Sequence, residues 1–415
     1  MENTNIRRLI KHFQSGNKKD FKLGLELEHF IVDKKTKKTI DYYGDMGVEK
    51  VLQLIRPAFD KVEISNNHII GLANSDYYIS LEPAAQFEVS IVRQENIKDI
   101  RRIYNDFLEL INPVLEEMGY ELFTLGYHPV SKIDDLSILP KDRYKHMYSH
   151  FQSSGKMGKN MMKGTASTQV SIDYKDEKDF IIKYRAAVLL SPILGLITDN
   201  APVFEGVFYH KNMLRQDIWR NVDKARTDFI FDLNNFGFKD YANFIYNVPL
   251  VNIPSDGKIE YTHKTPKELY INKEIEKEDI DLIMSMVFPD VRLKTYIEIR
   301  VADSIPFEYV QSYLALIKGI FIDSDSLDLL IGKLDYKDFS DIEEAKSNLS
   351  NFGFLANVYG KDVPSIIKEM ISLAKIKLNK EEQDLLNPLI DLVNNQKTLS
   401  QIYKEREARQ LCNMK

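Results

Sequence analysis

The sequence predicts an α+β fold in which an antiparallel β-sheet curls around a polar cleft and helices cover its outside. Three observations lead there. First, Leu23–Asp33, Tyr77–Val92, Thr165–Tyr174 and Thr295–Val301 alternate with period two, giving each one apolar face and one polar face. Second, the polar faces repeat one chemistry: Glu26 and Glu28, Glu82 and Glu88, Gln169, then Glu298 with Arg300. Third, stretches of helical spacing supply the cover, among them Asn96–Met118, Glu177–Thr198 and Tyr309–Ile322, with three or four more between Asp341 and Leu411.

The bulk composition sets the class. The chain has 415 residues, 44% of them hydrophobic, enough for a large core. Its net charge is −6 and its pI near 5.9, with both signs mixed along the chain, which argues against a nucleic-acid partner. The start, Met1-Glu2-Asn3-Thr4, leads into a polar helix-like stretch rather than a secretion signal. The most apolar run, Ala186–Ile197, is 12 residues long, short of the roughly 20 needed to cross a bilayer. Cys412 is the single cysteine, so no internal disulfide is possible. A soluble, cytoplasmic protein is expected, and Cys412 is expected to have no catalytic role.

In chain order, Asn5–Gln14 reads as a short amphipathic helix. Leu23–Asp33 follows as a strand, with Glu26 and Glu28 on one face and His29 packed on the apolar side. Val48–Phe59 has helical spacing. Val62–Ile70 and Tyr77–Val92 read as two strands joined by Ala73-Asn74-Ser75-Asp76, with Pro83 marking a strand start or a bulge. After the helix Asn96–Met118 come a strand, Glu121–Tyr127, and the glycine- and lysine-rich run Ser153–Gly164. That run fits either a phosphate-embracing loop or a flexible surface loop, and it is not a P-loop. Arg215, Trp219, Asp223 and Arg226, spaced four, four and three apart, fit one helix face, a loop around an anionic substrate, or plain surface ion pairs. Tyr241–Val251 reads as helix then strand, Ser255–Glu268 as a polar turn-rich insertion, and Asp279–Phe288 as a helix feeding Pro289–Pro306. There is no internal repeat or clear linker. We expect one catalytic domain over residues 1–415, with residues 341–412 as a helical segment packed on it.

Two glutamates on neighbouring same-face positions repel, so an enclosed Glu26/Glu28 face calls for a cation between them. Magnesium suits such hard oxygen ligands, whereas on an edge strand the same pattern is merely solvated. Gathered around one cleft, the acids would hold two or three magnesium ions and, through them, a nucleoside triphosphate. Two other readings fit parts of the pattern. One is a glycoside hydrolase with two opposed glutamates, and the other is a non-catalytic nucleotide-binding homologue.

The segments L-G-L-E-L-E, L-E-P-A-A-Q-F-E-V-S, M-M-K-G-T-A-S-T-Q-V-S-I-D-Y, R-x-x-x-W-x-x-x-D and F-P-D-V-R-L-K-T-Y-I-E-I-R-V-A-D occur in that order from Leu23 to about Ser304. In this they resemble the plant and proteobacterial type of glutamate–cysteine ligase. The resemblance implies a glutamine-synthetase-like catalytic fold, its strands forming a funnel or half-barrel that ATP and amino acid enter from opposite ends. It implies ATP-dependent phosphorylation of the γ-carboxylate of glutamate, followed by attack of an amine, by default cysteine, as in glutathione biosynthesis. It also implies metal-ligand roles for Glu26, Glu28, Glu82 and Glu298, with Glu88 and Gln169 as secondary candidates. Arg300 would meet ATP phosphate, and Gln86, Arg215 and Trp219 would lie near the amino acid.

The chain departs from the family's pattern at Ala84 and Ala85 in place of a glycine pair, at Lys163 in place of arginine, at Ala166 in place of cysteine, and at Val301 in place of glycine, with Gly164 at a position the pattern leaves open. These departures put the acceptor amine in question more than the reaction class. The expected partners are ATP, glutamate and an amine such as cysteine, with no nucleic acid or membrane, in a monomer or homodimer.

Overall fold

A computed structural model describes residues 1–228, 232–255 and 258–413. Asp256 and Gly257 of the expected insertion, and the side chain of Cys412, lie outside the described residues. The amino-terminal half carries β1 (Leu23–Asp33), the hairpin β2 (Lys61–Ser65) and β3 (His68–Ala73), the hairpin β4 (Tyr77–Leu81) and β5 (Phe87–Gln94), β6 (Tyr120–Phe123) and β7 (Ser167–Ile172). Two small hairpins follow, β8 (Val203–Phe204) with β9 (Val207–Phe208) and β10 (Asn252–Ser255) with β11 (Lys258–Tyr261). The last pair in the main sheet is β12 (Val291–Leu293) and β13 (Ile297–Asp303). The main sheet is nine-stranded and antiparallel, in the order β12-β13-β7-β1-β5-β4-β3-β2, with β6 paired to the end of β1. Its path is open rather than closed into a barrel, with β12 and β2 at its edges.

The helices before the last sheet pair are α1 (Glu2–Gln14), α2 (Val48–Ile55), α3 (Ile97–Met118), α4 (Asp142–Ser154), α5 (Gly158–Gly164) and α6 (Glu177–Ile197), then the short α7 (Leu214–Trp219) and α8 (Lys224–Thr227), α9 (Phe238–Asn247), α10 (Pro266–Leu269) and α11 (Lys277–Met284). After β13 come α12 (Phe307–Phe321), α13 (Ser324–Ile331), α14 (Phe339–Phe352), α15 (Val363–Lys377), α16 (Lys380–Asp384), α17 (Asn387–Asn395) and α18 (Leu399–Asn413).

The alternation does what the sequence predicts. Leu23, Leu25 and Leu27 of β1, Val89 and Ile91 of β5, Val170 and Ile172 of β7 and Ile297 and Ile299 of β13 form one continuous buried layer, each side chain contributing about 1.5–3 kcal/mol of burial. Helices α3, α6 and α12 cover that layer. His29 belongs to it, 1% exposed, with Nε2 2.8 Å from the Tyr104 hydroxyl and Nδ1 3.2 Å from the Phe87 carbonyl. Helix α6 is long and apolar enough to cross a membrane, yet 83% of its apolar window is buried, packed against β13, α13 and α14.

Four expectations change. Val62–Ile70 is not one strand but part of the β2–β3 hairpin, turned at Asn66 and Asn67, both in the left-handed region at φ 49° and 66°. Asn is among the residues that tolerate this conformation, and the Asn-Asn pair is the signal that was there to read. Tyr77–Val92 is likewise a hairpin. Its turn runs through Glu82-Pro83-Ala84-Ala85, closed by the Ala85 amide donating to the Glu82 carbonyl at 2.8 Å, with Ala85 at φ 64°. A glycine is at ease there and an alanine is strained. Arg215, Trp219, Asp223 and Arg226 do not share one helix: α7 ends at Trp219, and Asp223 caps α8. The glycine- and lysine-rich run is the end of α4 followed by α5, not a loop.

Candidate active site

The polar face of the sheet floors a cavity of about 450 Å³. Antiparallel pairing decides which of its charges meet. Glu26 on β1 lies opposite Gln169 on β7 and Ser90 on β5, Glu28 lies opposite Glu88, and Glu298 on β13 lies opposite Arg292 on β12. Directly paired residues share a face, so β1 and β5 make an acidic wall. The β12–β13 hairpin makes a basic one.

On the acidic wall, Glu28 accepts from the Ser167 amide and hydroxyl, both at 2.8 Å, and from Gln169 Nε2 at 3.0 Å. Glu88 accepts from Ser80 Oγ at 2.6 Å and Ser90 Oγ at 3.2 Å. Burial first, and then repulsion among the acids, pushes Glu26 up to about 7 and Glu28 up to about 8, and raises Glu88 as well. Glu82 does not come from a strand: it stands half-buried on the β4–β5 turn and lines the same cavity. Among the described residues, no three His, Cys, Asp or Glu side chains already converge as a metal cage. The ligands on offer on this wall are hard carboxylate oxygens that repel one another, a donor set that fits magnesium.

On the basic wall, Glu298 is fully buried and holds three cations at once: Arg292 Nε at 2.7 Å, Lys294 Nζ at 2.8 Å and Arg300 Nη1 at 2.9 Å. Burial opposes its charge, but the three cations outweigh that and keep Glu298 well below the usual carboxylate range. Glu298 was expected as a metal ligand; in this structure both its oxygens are taken by cations. Gln169, the secondary candidate, bridges the two walls: its amide nitrogen donates to Glu28 and its oxygen accepts from Arg300.

The amino-acid candidates come from α7 and the β4–β5 turn. Arg215 is 4% exposed and donates to the main-chain carbonyls of Arg300 at 3.2 Å and Val301 at 3.3 Å, with its guanidinium 5.9 Å from the Trp219 ring. Burial works against its charge, partly offset by Asp303 and Glu28. Arg215 Nε and Trp219 Nε1 are buried donors without an acceptor, and both residues line the cavity. A bound carboxylate would supply what they lack. Gln86 lines the cavity, but its amide braces the turn: Oε1 accepts from the Ala84 amide and Nε2 donates to the Met162 and Thr165 carbonyls.

Sequence reasoning gave no role to Arg292, Lys294, Arg143, Tyr144 or the methionines Met147, Met161, Met162 and Met284, all of which line the cavity. The basic residues carried a signal, since Arg292 and Lys294 stand within the same short motif as Glu298. The roofing residues of α4, α5 and α11 carried none. Asp223 and Arg226 lie outside the cavity lining and form a buried pair at 3.0 Å, with His150 2.8 Å from Asp223.

None of Ala84, Ala85, Lys163, Gly164, Ala166 and Val301 lines the cavity. Gly164 has a packing reason, since a Cβ there would lie 2.3 Å from the buried Tyr127 ring. The drift noted in the sequence therefore sits behind the wall rather than on it.

Residues 22–414 match the model of the family described as glutamate-cysteine ligase family 2 (GCS2). Among curated proteins, the chain is similar to the chloroplastic glutamate–cysteine ligase of Arabidopsis thaliana, 31% identical over 340 residues that cover 78% of this chain and 64% of that one. It is also similar to the chloroplastic glutamate–cysteine ligase of Medicago truncatula, 29% identical over 402 residues that cover 93% and 78%. The chain thus spans just under two thirds of the first relative's length. Among solved structures, its fold is similar to that of a glutamate–cysteine ligase from Francisella tularensis in complex with AMP, with a TM-score of 0.53 at 13% identity, covering 94% of this chain and 85% of that one.

Proposed function

Because the chain belongs to glutamate–cysteine ligase family 2, we propose that it joins the γ-carboxylate of glutamate to the amino group of cysteine at the expense of ATP. The observation that carries this reading is the division of one cavity into an acidic and a basic wall, bridged by Gln169. A triphosphate needs both: cations facing its oxygens, and carboxylates holding the metal that neutralises it.

Arg300, Arg292 and Lys294 face the phosphates, while Arg215 and Trp219, which adjoin Arg300, receive the carboxylate of glutamate. We read this cavity as the funnel that ATP and amino acid enter. Glu26, Glu28, Glu82 and Glu88 would hold magnesium, and Glu298 becomes available as a ligand only when its cations turn to phosphate. Bound magnesium would draw charge from the transferring phosphoryl group. The γ-carboxylate oxygen attacks the terminal phosphorus and ADP leaves, giving γ-glutamyl phosphate. The amine nitrogen then attacks the acyl carbon, the C–O bond to phosphate breaks, and the amide and inorganic phosphate depart with the amine's proton lost to solvent. Cysteine is favoured as acceptor because the family departures lie off the cavity lining. We also read the chain as one catalytic domain, since a single hydrophobic cluster runs from Ile6 to Leu399.

The direct test is ADP release by the purified protein with ATP, magnesium, glutamate and cysteine. Release that needs another amine would replace the acceptor, and release without glutamate would remove the reading.

The acidic wall adds a pH-dependent expectation. An unfolded glutamate titrates near 4.3, whereas Glu26 and Glu28 titrate near 7 and 8 in the fold, so the folded state binds extra protons between those values. The stability linked to them is present below about pH 4 and is lost as pH rises toward about 8. Magnesium held by the deprotonated acids would offset that loss. Magnesium is therefore expected to raise the melting temperature more at about pH 8 than at about pH 6, measured by scanning calorimetry. Equal shifts at the two values would remove these acids as the metal site.

A further inference from the structure

We propose that α14 braces the amino-acid end of the cavity and that Lys346 is the positioning residue through which it acts. The proposal rests on reading that end as the glutamate subsite.

Glu343, Lys346 and Ser350 are spaced i, i+3 and i+7 along α14, which places them on one stripe of the helix. That stripe contacts the α7 region on one side and the segment leading into β12 on the other. On one side, Glu343 Oε2 accepts from Arg220 Nε at 3.1 Å, just past the end of α7, and Ser350 Oγ donates to Asp217 Oδ2 at 3.0 Å. The Asn212 amide, just before α7, donates to the Ser350 carbonyl at 3.0 Å. On the other side, Lys346 Nζ lies 2.8 Å from Asp290 Oδ2 and 3.0 Å from Glu343 Oε1. Asp290 is joined to the phosphate-facing strand, because its carbonyl accepts from the Arg300 amide at 2.9 Å. An unbroken chain of polar contacts thus runs Arg220, Glu343, Lys346, Asp290, Arg300.

Arg215 spans the gap that this chain closes. It is rooted on α7, and its guanidinium hangs on the Arg300 and Val301 carbonyls of β13. The distance between α7 and β13 therefore decides where its free Nε points. A small chamber lined by Arg215, Trp219, Asp290 and Arg300 lies in that gap. Packing alone does not call for a lysine here, since Ile342, Ala345 and Leu349 already bury the adjoining stripe of α14. Burying the Lys346 ammonium, only 10% exposed, is unfavourable unless it is paired, and its pairs are the two that join the walls.

The test uses Trp219, the only tryptophan in the chain, as a reporter on the α7 wall that needs no turnover. In the full chain without ligands, Lys346→Met is expected to raise the acrylamide quenching constant of Trp219 about twofold. In the ADP-release assay it is expected to raise the KM for glutamate on the order of tenfold, with kcat and the KM for ATP within about twofold of wild type. Lys346→Arg, which keeps the charge, should restore most of both. Arg220→Gln cuts the same chain at a partly exposed residue, so its fold is not at risk, and it should reproduce the effect. Wild-type quenching and glutamate KM in both Lys346→Met and Arg220→Gln would overturn the brace, as would a uniform loss affecting ATP and glutamate alike. If the wild-type protein releases no ADP with glutamate and cysteine, the functional reading fails, while the quenching of the two variants still decides the brace.

Discussion

Glu298→Gln is expected to lower ADP release on the order of a thousandfold while the protein remains folded at low temperature. Glu298 is the one carboxylate on which Arg292, Lys294 and Arg300 converge, and it is fully buried. Neutralising it leaves three cations repelling one another with no shared partner. Arg292 then has the least room to relax, since it is also buried. Losing one partner of a buried ion pair typically costs about 3–5 kcal/mol, so a lower melting temperature should accompany the loss of activity. The kinetic effect is the larger because, in the proposed reaction, the cations are aimed together at a triphosphate. A Glu298→Gln protein that is folded by circular dichroism and turns over within tenfold of wild type would remove Glu298 as the organiser of that wall.

Arg215→Met is expected to act on the amino acid, raising the KM for glutamate on the order of a hundredfold while the KM for ATP stays within about threefold. The arginine has a donor that nothing in the protein satisfies, beside the equally unsatisfied Trp219 indole. Methionine keeps much of the length of the side chain and its contact with Trp219 but removes the charge-assisted hydrogen bonds, each worth about 1.5–3 kcal/mol. It also leaves the Arg300 and Val301 carbonyls without this donor, so a modest fall in melting temperature is expected. An equal change in the two KM values would mean that Arg215 supports the cavity as a whole and does not select the amino acid.

The two predictions drew differently on the sequence. Glu298 and Arg300 were legible because period-two alternation is local stereochemistry, and so were Glu26, Glu28 and Glu88. Glu82 was legible as an acid near the site but not as a turn residue. Alternation looks the same through a tight hairpin as along a strand, and Ala85 adopts the left-handed conformation without the glycine that would have signalled it. Gln86 illustrates another limit, for its amide braces backbone, and no pattern in a sequence separates that use from substrate binding. Arg292 and Lys294 were visible as residues but not as partners of Glu298, because that depends on how far the β12–β13 hairpin runs before it turns.

By itself, then, the sequence determined which side chains share a face on each strand, the hard-oxygen chemistry of those faces, and the helical cover. Tertiary structure alone decided which faces meet. Glu28 and Gln169 are 141 residues apart and come within 3.0 Å only because β1 and β7 pair in one register. A shift of one residue would turn Glu26 and Glu28 into the core. That register is held by hydrogen bonds and packing distributed over the whole sheet, and it places the acids on one wall, the cations on the other and Gln169 between them.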